Sequence, residues 1–230
     1  MKRVKEESCV IEPMKYMQDL ISGLLNTFQS RLIYVGLQGS WARDEADESS
    51  DLDVMVVLDG LRTEDLARYR KIVSGMKDFD KSCGFICGKE ELEHWNSGEI
   101  CQLVHETVDY YGKLESLVPP YTCEDVRNHV KISTGNLYHE ICHHYIHAPE
   151  EAVHTALRNS CKTIFYILQN YWYIKSGVYI RTKKELIYRA EGIQREALEA
   201  SQFLRNHEIY DMEKICALLL SCCQEILRTV

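Results

Sequence analysis

GSWAR at residues 39–43 and SDLDVMVV at residues 50–57 are separated by six residues. Before them, residues 32–35 form a short run of β-forming side chains, which the following glycines end. Glycine lets the backbone approach a phosphate closely, and Ser40 can cap a helix that starts at the next residue while its hydroxyl faces the anion. The first segment therefore predicts a phosphate-binding loop, formed by Gly39 and Ser40, between a strand and a helix.

The second segment predicts a strand that begins with two carboxylates. Residues 52–58 are apolar apart from Asp53, which is typical of a strand buried on both faces. Because side chains alternate along a strand, Asp51 and Asp53 point to the same side and Leu52 points to the core. Mg²⁺ prefers oxygen ligands and is commonly bound by one or two carboxylates together with substrate phosphates. We therefore expect Asp51 and Asp53 to bind magnesium next to the phosphates.

Each half of this motif is common by itself, since Gly-Ser turns and Asp-x-Asp pairs also occur in solvated loops. The order strand, Gly-Ser, helix, Asp-x-Asp, strand favours the functional interpretation. Around the motif, hydrophobic spacing predicts helices over residues 14–29 and 63–77, and β-forming residues predict a third strand over residues 82–87. Alternating helices and strands predict an α/β-type domain.

At these positions the sequence resembles the nucleotidyltransferase superfamily, whose small single-chain members share Gly-Ser-x-Ala-Arg-Gly, a short gap and Ser-Asp-x-Asp. The matching residues are Gly39, Ser40, Ala42, Arg43, Ser50, Asp51 and Asp53. Asp44 stands where the signature has glycine, which we expect to alter the loop and not the chemistry. The resemblance extends to DYYG at residues 109–112, similar to the short strand and glycine that end the catalytic domain of this family.

The resemblance implies an α+β fold with a mixed sheet and a reaction that moves a nucleoside monophosphate, usually AMP from ATP, to a hydroxyl group. Gly39, Ser40 and Arg43 would then bind the nucleoside triphosphate, and Asp51 and Asp53 would bind two Mg²⁺ ions. Transfer of this kind depends mostly on positioning and charge neutralisation.

A third carboxylate on the next strand is common in this family, but the interior of that strand, at residues 82–87, holds no acid. Asp80 lies at the start of the strand and is one candidate. If Asp80 lies too far from the metal, the proton acceptor must come from the second half of the chain. There Glu140 is our first choice and His139 the second.

Long helical patterns replace the strands from about residue 122, over residues 122–147, 150–176, 182–206 and 211–229. The adjacent prolines at 119 and 120 mark the change, so we expect a catalytic domain at 1–118 and a helical bundle at 119–230. The second half resembles the bundle of aminoglycoside adenylyltransferases and related HEPN-type domains. Lys183 and Lys184 could contribute positive charge to the triphosphate, and exposed lysines without a role are an equal alternative.

Residues 139–143, HEICH, also match His-Glu-x-x-His, in which two histidines one helical turn apart bind zinc. A third ligand at the spacing of the longer zinc-hydrolase motifs is not evident, which disfavours a zinc hydrolase. Two alternatives remain for His139, Glu140 and His143: they line a cleft facing the nucleotide, or they form a polar helix face.

The composition is that of a globular protein, with 45% hydrophobic and 27% charged residues among 230. A net charge of −8 disfavours long nucleic acids as substrates, because no positive field attracts their phosphates. A charged N-terminus without a signal-peptide pattern, and no long apolar run, predict a cytoplasmic protein without a membrane span. The ten cysteines are expected to be free thiols.

The negative charge would also attract a cationic molecule, so we expect a small acceptor such as an aminoglycoside in a cleft between the two domains. One alternative is an AMP transferase that acts on a protein partner, as in similar antitoxin-type nucleotidyltransferases. Another is a catalytically silent nucleotide-binding regulator, against which the two intact carboxylates argue. The oligomeric state is left open by the sequence.

Overall fold

The structure is a computed structural model that describes residues 12–48, 50–206 and 210–230. The chain divides into two compact units. The first contains the residues up to Trp95 together with Glu106–Pro119, and the second contains Asn96–His105 and the residues from Pro120 onward. The domain boundary at 118/119 stays a prediction.

The first unit is built on a four-stranded mixed sheet in the order β3-β2-β1-β4. The strands are β1 (Leu32–Gln38), β2 (Leu52–Leu58), β3 (Ser82–Gly88) and β4 (Val108–Tyr111). Strand β1 runs antiparallel to β2 and to β4, whereas β2 and β3 are parallel. The α+β class with a mixed sheet is thereby confirmed, and so are the three predicted strands and the short strand before Gly112.

The helices that accompany this sheet along the chain are α1 (Pro13–Phe28), α2 (Gly39–Ala42), α3 (Thr63–Ser74) and α4 (Lys89–Glu93). Helix α5 (Ser97–Glu106) follows and belongs to the second unit except for its last residue, Glu106. Helix α1 lies at the predicted place, and its apolar stripe packs into the core with the buried side chains of β1 and β2. Helices α4 and α5 were not expected from the sequence, because both are too short for a clear hydrophobic period.

The second unit is helical, with α6 (Cys123–His147), α7 (Glu150–Ser176), α8 (Lys183–Arg189), α9 (Gly192–Asn206) and α10 (Met212–Thr229). The prediction of one helix over 182–206 was wrong. That stretch is broken after Arg189, and Gly192 adopts a left-handed backbone with φ of 51°. Phe165 and Tyr171 lie in the core of this unit, as bundle packing requires.

Within the described ranges, every helix is too short or too polar to span a membrane. All nine cysteines in the same ranges are free thiols, as expected, and six of them are buried.

Candidate active site

Gly39 brings the predicted phosphate loop against one of the two predicted metal carboxylates, that of Asp53. It follows β1 directly, where Gln38 pairs with Asp53 across the antiparallel ladder. Its φ of 68° is left-handed, and a Cβ atom at this position would lie 2.0 Å from Oδ2 of Asp53. Only glycine satisfies both conditions, because other residues are strained at this φ and would displace the carboxylate.

The helix after this turn starts two residues earlier than predicted, so the role of Ser40 as its cap was wrong. Helix α2 begins at Gly39, and its N-cap is Gln38. The Gln38 side chain makes no cap bond and donates instead to the Thr107 hydroxyl, at 2.9 Å. The Ser40 carbonyl accepts from the Glu45 amide at 2.9 Å, which closes the loop behind the helix. Binding of a phosphate by the Ser40 hydroxyl stays a prediction.

Asp51 and Asp53 lie where the chain enters β2, after a short turn. Ser50 is buried and forms this turn by accepting a hydrogen bond from the Asp47 amide at 2.9 Å. Asp51 is exposed and Asp53 is half-buried, whereas Leu52 between them is fully buried. The two carboxylates thus share the face opposite to the core, as alternation along the strand requires.

Cys83 of β3 is the neighbour of Asp53 on the other side. The parallel register pairs the two residues, and the Cys83 thiol donates a hydrogen bond to the Asp53 carboxylate. Partial burial, this hydrogen bond and the charges of Asp53 and Asp51 raise the pKa of the thiol above its usual value of 9.0. A neutral thiol therefore stands beside Asp53 on the next strand of the sheet.

Asp80 does not occupy that place. It is exposed in a short 3-10 turn, Phe79–Lys81, that precedes β3, whereas Cys83 is in register with Asp53. Within the described ranges, no three His, Cys, Asp or Glu side chains are grouped as ligands for one metal ion. Asp80 as the proton acceptor stays a prediction.

Arg43, predicted to bind the nucleotide, has its guanidinium buried among carboxylates. Nη1 of Arg43 lies 2.6 Å from Oε2 of Glu106, and both side chains are nearly inaccessible to solvent. Nε lies 3.3 Å from Oε2 of Glu45. These contacts tie the phosphate loop to the end of α5, across 63 residues of sequence. A contact between Arg43 and the nucleotide stays a prediction.

The backbone conformation of Asp44 is one that favours glycine, the residue of the family signature at this position. Its backbone is left-handed, with φ of 58°, one of two such non-glycine residues in the described ranges. Aspartate tolerates this region better than most residues do. Asp44 therefore adopts a backbone conformation that glycine reaches readily, and the expectation that this departure alters the loop and not the chemistry stays a prediction.

The remaining predicted residues belong to the second unit. Glu140 is exposed on α6, and its backbone carbonyl contacts the His144 ring at 2.9 Å. Lys183 and Lys184 begin α8, which Thr182 caps by accepting from the Glu185 amide. The ammonium of Lys183 lies 5.3 Å from the centre of the Phe165 ring, so packing holds its stem. Their roles at the nucleotide stay predictions.

Glu106 and Cys83 are the neighbours of the motif that sequence reasoning missed. No sequence pattern around either residue indicates this position. Cys83 reaches the motif through the register of β3 with β2, and Glu106 reaches it through a contact between segments distant in sequence.

Comparison with protein families agrees with this geometry. Residues 21–129 match the family model of the nucleotidyltransferase domain. Residues 21–129 form a nucleotidyltransferase domain. This segment contains the turn at Gly39, both carboxylates of β2 and the whole mixed sheet. The enzyme class expected from the motif is thereby confirmed.

Among solved structures, the chain is similar to the crystal structure of spectinomycin adenyltransferase AAD(9) from Enterococcus faecialis with ATP and spectinomycin. The TM-score is 0.62 at 17% sequence identity, over 94% of this chain and 100% of that chain. The likeness therefore extends beyond the nucleotidyltransferase domain to the helical unit, at the level of the fold. No curated protein matches the sequence.

Proposed function

We propose that the nucleotidyltransferase domain transfers AMP from ATP to a hydroxyl group of a small cationic acceptor, such as an aminoglycoside, with the help of Mg²⁺. The observation that carries this proposal is the contact between the turn and the strand. Gly39 has no Cβ, and one there would meet Oδ2 of Asp53 at 2.0 Å, which supports a phosphate loop placed next to this carboxylate.

The donor set fits magnesium. Asp51 and Asp53 offer oxygen ligands from one face of β2, and a nucleotide held at the loop would supply phosphate oxygens. Bound there, Mg²⁺ would neutralise charge on the phosphates. The neutral Cys83 thiol adds no negative charge, so these two aspartates would provide the protein's charge for the metal.

In the proposed reaction the acceptor oxygen bonds to the α-phosphorus of ATP, the bond from that phosphorus to the β-phosphate oxygen breaks, and pyrophosphate leaves. The hydroxyl proton must go to a base. The raised pKa of Cys83 disfavours the thiol for this step, because it is protonated at neutral pH. Asp80 is one candidate, followed by Glu140 and then His139 if Asp80 lies too far away. Lys183 or Lys184 would add positive charge to the leaving pyrophosphate.

Two observations support a small cationic acceptor. The net charge of −8 attracts cations, and the similar solved structure is that of an adenyltransferase with spectinomycin. The cytoplasmic location stays a prediction from the sequence.

An acceptor panel tests the proposal. The full chain is incubated with ATP, Mg²⁺ and one of several aminoglycosides, spectinomycin, simple amino alcohols or a protein lysate, and products are read by mass spectrometry. We expect the mass of one AMP on a small cationic acceptor, dependent on Mg²⁺. AMP on lysate proteins alone would favour the protein-modifying alternative, and no product with any acceptor would favour the silent regulator.

A further inference from the structure

Helix α6 carries a row of imidazoles at its C-terminal end, outside the nucleotidyltransferase domain. His139, His143 and His147 recur every four residues, and all three are exposed. Their ring centres are 6.0 Å apart for the first pair and 5.1 Å for the second. Histidines one helical turn apart are a known arrangement for binding zinc.

One ion cannot use all three rings. His139 and His147 are two turns apart, which separates their Cα atoms by about 12 Å along the axis. An ion must therefore choose one pair, and His143 is common to both. The pair of His143 and His147 has the closer rings and includes the last residue of α6, where the helix dipole favours a cation.

Such a pair fills only half of a zinc ion's coordination. Zn²⁺ in structural sites takes four ligands in a tetrahedron. In the described part of the chain, no third His, Cys, Asp or Glu joins these rings as a ligand. A twofold axis through the ion would supply the two missing imidazoles from a second copy of the same helix.

The surface beside the rings suits contact with a second copy. Ile146, between the two histidines in sequence, is 68% exposed, and Tyr145 is 44% exposed. Apolar side chains flanking the metal would be covered when two copies of α6 meet. The net charge of −8 on each copy opposes association, so a divalent cation is needed to hold the two together.

We propose that His143 and His147 from two copies of this chain bind one Zn²⁺ ion and that this ion joins the copies into a dimer. The proposal does not rest on the nucleotidyltransferase reaction, since none of these residues belongs to residues 21–129.

Sedimentation velocity tests the proposal on the full chain, first with EDTA and then with ZnCl₂ or MgCl₂. We expect the apparent mass to double with zinc only, and titration calorimetry to give one ion for every two chains. His143→Asn and His147→Asn should each weaken zinc-dependent dimerisation at least about 10-fold.

His139→Asn and His144→Asn are matched controls on the same helix and should dimerise like the parent protein. His144 already contacts the Glu140 carbonyl at 2.9 Å. Because the substituted histidines are solvent-facing or half-buried, circular dichroism should show an unchanged fold. No doubling with zinc, a monomer with one ion per chain, or doubling that survives His147→Asn would each overturn the proposal.

Discussion

The two ends of β2 look alike in sequence and differ in what they contact. At its start, Asp53 lies against Gly39, whose φ is 68°; at its end, Asp59 precedes Gly60, whose φ is 67°. A Cβ at Gly39 would meet Oδ2 of Asp53 at 2.0 Å, whereas a Cβ at Gly60 would meet nothing within 4 Å. The same backbone conformation therefore brings a glycine against a carboxylate at one end of β2 and forms an open turn at the other.

An arginine–carboxylate pair supports each end, and it is buried at the start of β2 and partly exposed at its end. Arg43 pairs with Glu106 at 2.6 Å behind the phosphate loop. Arg31 pairs with Asp65 at 2.5 Å near the Asp59–Gly60 turn, and its Nε donates to the Asp59 carbonyl at 3.2 Å. An arginine–carboxylate pair thus stabilises each end of β2. Substitutions at both ends should lower stability, whereas only those at the Asp53 end should also lower activity.

The largest effect is expected from the carboxylates. Asp53→Asn and Asp51→Asn should each lower kcat/KM for AMP transfer by roughly 1000-fold, because each removes negative charge from the metal site. Asp59→Asn, an exposed aspartate at the other end of β2, is the control and should keep the parent rate. Steady-state kinetics at saturating Mg²⁺ measure this, and equal rates for Asp53→Asn and Asp59→Asn would refute the assignment.

The supporting ion pairs give the next effect. Glu106→Gln should lower the free energy of unfolding by about 3 kcal/mol, because it leaves the buried Arg43 without its closest counter-charge. Asp65→Asn should lower it less, since Arg31 is 29% exposed and solvent screens its interaction with Asp65. Urea unfolding checks both. At a temperature where both variants are folded, only Glu106→Gln should also lower kcat/KM. Equal kcat/KM values for the two variants would show that Arg43 does not support the proposed site.

The two glycines provide the sharpest form of the comparison. Gly60→Ala should cost about 1 kcal/mol, the strain of a left-handed alanine, and leave transfer unchanged. Gly39→Ala carries the same strain and also displaces the Asp53 carboxylate, so we expect an additional loss of activity of about 10-fold or more. Thermal unfolding and kinetics of the pair measure the two effects, and matching activities would show that the Gly39 contact is unimportant.

The smallest effect is expected at Asp44. Asp44→Gly restores the residue of the family signature and relieves the positive φ of 58°. The gain is partly offset by the larger backbone entropy of glycine in the unfolded chain, so stability should change by less than about 1 kcal/mol. Transfer should stay at the parent rate, and a change of more than about 10-fold would mean that the Asp44 side chain takes part in the chemistry.

The sequence predicts the elements that have a strong local pattern. The apolar run at residues 52–58 predicts the bounds of β2, and hydrophobic residues at spacings of three and four predict α1. The Gly-Ser pair predicts the turn at Gly39. The Ser40 cap was wrong because the turn conformation at Gly39 already starts the helix, with Gln38 as its N-cap.

The surroundings of the motif depend on contacts that no local pattern encodes. Cys83 lies beside Asp53 only because β3 pairs in parallel with β2 at that register. Glu106 reaches Arg43 from the end of a ten-residue helix that the sequence did not predict. The break between α8 and α9 lies in a continuous helical pattern, where Ala190 adopts an extended backbone and Gly192 a left-handed one.

Transfer from ATP labelled in different phosphates tests the central claim most directly. The full chain is incubated with Mg²⁺, spectinomycin or an aminoglycoside, and ATP labelled at either the α- or the γ-phosphate, with Asp51→Asn as the inactive control. We predict that the α-label appears on the acceptor, that the γ-label appears in pyrophosphate, and that both products are lost in Asp51→Asn. Transfer of the γ-label to the acceptor, or equal α-label transfer by Asp51→Asn and the parent protein, would contradict the account.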